Sequence, residues 1–159
     1  MSDTLVITAA DLDADGCYKH DNLEHDGDVR IKCDIHVRGS VLAGGSVWAG
    51  GFVSAGGFVS AGGDVRAGGF VDAGGFVRAG GSVDAGGSVW AGGDVRAGEG
   101  ITAVGTLITS ENLSCGDGYA IRVTPYPWQK AGAVADVRCR RLTGGVVEIG
   151  RLIEEADNE

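Results

Sequence analysis

The amino-acid sequence predicts an all-β, single-domain parallel β-helix, a solenoid of six-residue repeats with capped ends, on three observations. From Ala43 to Arg96 one hexad recurs nine times without an insertion: AGGSVW, AGGFVS, AGGFVS, AGGDVR, AGGFVD, AGGFVR, AGGSVD, AGGSVW, AGGDVR. Six is a multiple of two, so in extended backbone each letter keeps to one side. Alanine, the second glycine and valine share a side that can be buried. The opposite side carries Asp64, Arg66, Asp72 and Arg78, which a dry interior rejects. The third observation is the 30 glycines, which follow no collagen triplet and are accounted for by the corners of a coil.

The phase reaches beyond the perfect block. Stepped by six, the valine slot reads Leu23, Val29, Ile35 and Val41 before it and Ile101, Leu107 and Leu113 after it. The alanine slot reads Ile31 and Val37 upstream, then Ala97, Ala103 and Cys115 downstream. Asp136-Val137-Arg138-Cys139 returns in phase after a disturbed stretch, and Ile149 is in phase too. The expected organisation is an acidic N-terminal cap at 1–22, a solenoid at 23–151 and an acidic C-terminal tail at 152–159. Within the solenoid PYPWQKAG, near 124–132, is expected to be a loop thrown out of one coil.

Each Gly-Gly is expected to turn a corner, because glycine accepts positive φ and lets backbones approach closely. Three hexads per coil give a triangular prism of 18-residue rungs; two give a flat 12-residue ribbon. The aromatic letters favour three: a step of 18 stacks Phe52 on Phe70 and Phe58 on Phe76, whereas a step of 12 aligns only Phe58 with Phe70. Handedness is not readable from the repeat.

No apolar run approaches a membrane span, and the first residues lack the basic start and apolar stretch of a signal peptide, so the expected compartment is the cytoplasm. Cys33, Cys115 and Cys139 occupy inward letters, where a thiol acts as a small hydrophobe, and no CxxC pair suggests structural zinc. The formal charge of −9 sits at the ends: residues 1–34 hold nine acids against three bases, and residues 151–159 hold four against one. The stretch between them is neutral and shows no basic stripe, which argues against direct nucleic-acid binding. The acidic ends read as solubilising caps.

Six aromatics, Trp48, Phe52, Phe58, Phe70, Phe76 and Trp90, all fall on outward letters and form the candidate protein interface. The alternative is that they lie over the glycine corners and shield the backbone. Asp11, Asp13 and Asp15 match the DxDxDG opening of a calcium loop, with Asn22 at the twelfth position where a bidentate glutamate is expected. An Asp- and Gly-rich turn leading into the cap explains the same letters without metal, and no other cofactor is indicated.

In repeat length and inward letters the chain resembles hexapeptide-repeat acyltransferases, a likeness of architecture rather than chemistry. That resemblance implies a histidine beside an inter-subunit cleft, but His20, His25 and His36 all lie near the N-terminus and the central hexads extrude no loop. A non-enzyme is the expectation. Through residues 28–41, DVRIKCDIHVRGSV, and the hexads that follow, the chain also resembles bactofilins, bacterial polymer-forming cytoskeletal proteins built on a parallel β-helix. That resemblance implies scaffold or assembly duty. The expected function is a non-enzymatic structural or assembly module that acts by self-association or by binding another protein. The alternative is a small acidic inhibitor, of phage or mobile-element type, that blocks a basic site on a host enzyme.

Overall fold

The structure, a computed structural model, describes residues 3–155. Its strands stack into three parallel sheets, the walls of a β-solenoid of about 7 coils with about 18 residues each. The first sheet runs from Thr4–Ile7 and Asp28–Ile31 through Val47–Ala49, Val65–Ala67, Val83–Ala85, Ile101–Val104 and Ala120–Thr124 to Val146–Ile149. The second takes Ile35–Val37, Val53–Ala55, Val71–Ala73, Val89–Ala91, Leu107–Thr109, Asp136–Cys139 and Arg151–Glu154. The third takes Leu23–His25, Val41–Ala43, Val59–Ala61, Val77–Ala79, Val95–Ala97, Asn112–Ser114 and Arg141–Gly144.

A step of 18 residues sets every valine on a valine, as Val71 pairs with Val53 and Val89. All nine valines of the block are fully buried, and its alanines are no more than 9 % exposed. Each fully buried valine contributes about 1.5 to 3 kcal/mol relative to an exposed one. No coil could hide this row alone, so stability comes from stacking.

Of the two reasons expected for the glycine pairs only close approach applies, because no glycine of the AGG block has a positive φ. Glycine is needed there because the coils approach too closely for a side chain. A Cβ added at Gly80 would collide with the carbonyl oxygen of Gly62, and one at Gly98 with that of Gly80. The close approach lets corner amides bond from coil to coil, Gly63 N–H donating to the Gly45 carbonyl and Gly81 N–H to that of Gly63.

The sheets extend into both segments expected to be terminal. Thr4–Ile7 pairs along Asp28–Ile31, with Ile7 buried, and Arg151–Glu154 closes the second sheet. Asp157 and Glu159 of the expected tail lie outside the described residues. Residues 8–22 fold over the N-terminal coil, where Leu12 bridges Tyr18 and Cys17 bridges His36, and where Leu12 and Tyr18 pack against the core.

After Leu113 the period of six breaks. Ile121, not a residue in phase, fills the next buried slot of the first sheet, and the excursion before Asp136–Cys139 restores phase at Val137. From Val137 the step is five: Leu142 pairs with Leu113, Val147 with Ile121 and Leu152 with Val137. The in-phase reading of Ile149 is therefore corrected, because Val147 takes the slot while Ile149 is 43 % exposed. The last two of these shorter corners turn at Gly145 and Gly150, whose φ values of 80° and 113° an L side chain rarely adopts.

Candidate interaction surface

The residue before each valine decides what the corner shows to solvent. At eight corners where it is Ser, Asp or Asn, its side-chain oxygen accepts from the amide 18 residues later, while Ser82 instead donates to Glu99. Asp34 receives Phe52 N–H at 3.0 Å, Ser46 receives Asp64 at 3.1 Å and Asp64 receives Ser82 at 2.9 Å. Asn22, Asp28, Ser40, Ser88 and Asp94 do the same. Phenylalanine cannot. At Phe52, Phe58, Phe70 and Phe76 the oxygen ladder is replaced by rings, at the loss of bonds worth about 0.5 to 1.5 kcal/mol each.

The rings stack instead. Phe52 and Phe70 lie 4.6 Å apart on the corner between the first and second sheets, and Phe58 and Phe76 lie 4.7 Å apart on the next corner. Phe70 continues to Trp90, 6.2 Å away on the second sheet. All four phenylalanines are half-buried, while Trp90 is 44 % exposed. Arg78 lies over the Phe76 ring. Trp48 stands apart on the first sheet beneath the Arg30 guanidinium, and its indole nitrogen is buried without a hydrogen-bond partner among the described residues.

Two neighbours of this ridge escaped the sequence reading. Tyr126 folds from the 125–135 loop onto the same corner, its hydroxyl 3.2 Å from Ser88 Oγ, and stacks on Trp128 at 4.5 Å. Trp128 is 78 % exposed. Ile108 adjoins Trp90 in register on the second sheet and is 37 % exposed. The signals were a second aromatic pair inside PYPWQKAG and an isoleucine 18 residues after Trp90.

The aspartates of the candidate calcium loop are already engaged. Asp11 accepts from the amide and hydroxyl of Thr8, whose bonds hold its carboxyl below the ordinary aspartate range. Asp13 accepts from the amides of Cys17 and Asp15 and pairs with Arg38 at 2.6 Å; these bonds, the Cys17 amide foremost, lower its pKa as well. Asp15 joins them only through its backbone amide. The three carboxylates do not converge, and among the described residues no group of three His, Cys, Asp or Glu side chains has metal-holding geometry.

A hollow of about 630 Å³ opens on the first sheet, lined among others by Asp84, Thr102, Tyr119, Arg122 and Glu148. No His or Cys lines it, and Arg122 is paired with Glu148. Among the described residues no helix is long and apolar enough to cross a membrane. No protein-family model, no curated protein and no solved structure matches the chain.

Proposed function

We propose that this chain is a non-enzymatic assembly module of the cytoplasm, a rigid solenoid that binds protein, a second copy or another chain, through its aromatic ridge. The observation that carries the reading is the exchange of oxygen for rings at Phe52, Phe58, Phe70 and Phe76. A fold selected for stability alone had the Ser and Asp ladder available at those letters, as its other corners show. Half-exposed rings that stack from Phe52 through Phe70 to Trp90, with a second stack of Phe58 on Phe76 at the next corner, make apolar surface of the kind that marks contact sites.

The bactofilin-like architecture supports scaffold duty in the same sense. The paired charges of the faces, Arg66 with Asp64 and Asp84, and Arg96 with Asp94, suit a protein partner better than a polyanion.

Sedimentation velocity across the micromolar range, together with capture from the native host, tests the reading. Concentration-dependent association, or capture of a partner through the ridge, supports it. A discrete monomer that copurifies with one basic protein, with the ridge dispensable, would move the function to the acidic inhibitor.

A further inference from the structure

The outer face of the second sheet carries a pattern that complements itself. Its central outward residues, in consecutive coils and in register, are Asp72, Trp90, Ile108 and Arg138. Two apolar residues are flanked by an acid on one side and a base on the other. Asp72 differs from the other aspartates of the nine-hexad block. Asp64, Asp84, Asp94 and Asp136 each hold an arginine, whereas Asp72 has no hydrogen-bond or ion-pair partner among the described residues. Arg138 reaches Asp136 at 3.3 Å and keeps its side chain 48 % exposed.

We propose that two copies of this chain dock antiparallel through this face, on a two-fold axis that runs along the strand direction between the coils of Trp90 and Ile108. The proposal rests on the assembly reading and names its partner as a second copy. The operation sets Trp90 on Ile108 of the second copy and Asp72 on Arg138 of the second copy, each contact occurring twice, as an isologous interface requires. It also keeps the corner edge on the same side. Phe70, in the coil of Asp72, then faces the 125–135 loop of the second copy, and Trp128, exposed in the single chain, gains an aromatic neighbour. The other two-fold, parallel to the solenoid axis, sets Asp72 on Asp72 and Arg138 on Arg138, and like-charge contact disfavours it. The apolar centre drives association; the flanking charges choose the direction.

The experiment is a charge swap read by sedimentation velocity. Asp72→Arg and Arg138→Asp use residues that the same outward letter carries at Arg66 and Asp84, so both should fold; Asp72→Arg should melt like the parent, Arg138→Asp lower because it removes a partner of Asp136, and sedimentation is run well below both melting temperatures. Each single variant places like charges together and should dimerise at least tenfold more weakly. Mixing the two singles should restore the dimer, because a copy with two bases meets a copy with two acids, and the double variant should dimerise like the parent. Singles that dimerise as the parent does, or a mixture that does not recover, would overturn this geometry. A parent that remains monomeric at micromolar concentration would overturn the dimer itself. The assembly reading is judged separately, since it survives wherever Phe52→Ser with Phe70→Ser still abolishes association or partner capture.

Discussion

Phe52 and Phe70, one coil apart, hold their rings 4.6 Å between centroids and 5° from parallel, so the pair repeats the spacing of the backbone beneath it. The stack occupies a slot where serine elsewhere accepts an amide from the next coil, as Ser40 does from Phe58. Replacing Phe52 and Phe70 together with Ser removes a stacking gain of about 0.5 to 1.5 kcal/mol and supplies hydrogen bonds of the same order. The variant should therefore melt close to the parent while its association or partner capture weakens at least tenfold, for which about 1.4 kcal/mol suffices. Light scattering and sedimentation make the comparison. Unchanged association would mean the rings only shield the corner.

Val83 lies between Val65 and Ile101 in the first sheet and is fully buried. Val83→Asp puts a carboxylate where no donor stands and should cost about 3 to 5 kcal/mol, a large share of a typical domain's stability. Neighbouring coils depend on this one for burial, so the loss should spread along the axis. Thermal melts followed by circular dichroism check it, and a variant that kept the parental melting temperature would refute the assignment of inside and outside.

The core was legible because a repeat of fixed length repeats its environment. Val53 on Val71 and Phe58 on Phe76 both follow from one number, 18 residues per coil. The last coil was harder to read, because Leu142, Val147 and Leu152 step by five and that step rests on positive φ at Gly145 and Gly150. The ridge was legible as far as Trp90. The seat of Tyr126 on Ser88 was not, since it is one contact across 38 residues and no periodicity specifies it. DxDxDG proved ambiguous for a physical reason: an aspartate that can ligate metal can equally cap a turn, and Asp11 and Asp13 bond to amides.

Asp13 ties the N-terminal cap to the solenoid through Arg38. Asp13→Ala should lower the melting temperature by the same amount with calcium as with a chelator, and millimolar calcium should leave the parent unchanged. A calcium-dependent rise in the parent that disappears in Asp13→Ala would instead establish a metal loop, since a ligand that binds only the folded state stabilises it by mass action. Calorimetric titration with calcium gives an independent reading.

The C-terminal coil is held by a carboxylate at its junction with the solenoid. Asp136 accepts from Arg151 at 2.7 and 3.0 Å and from Arg138 at 3.3 Å; the Arg151 bonds first, then that of Arg138, hold its carboxyl below the ordinary value of 3.8. A depressed folded pKa means that the unfolded chain takes up the proton first as pH falls. Its contribution to stability is therefore complete above the unfolded pKa, declines as pH drops past that value, and is gone below the folded pKa. Asp11 and Asp13 are shifted the same way, so both ends should loosen together in acid. Melting temperature should hold steady from neutral pH to about 5 and fall steeply below about 4. Asp136→Asn keeps the shape but loses the charge, so it should melt lower than the parent at neutral pH and converge with it in acid. Melts recorded across that range decide the matter: curves that stay parallel down to the lowest pH would mean that the Arg151 pair contributes nothing to holding the last coil.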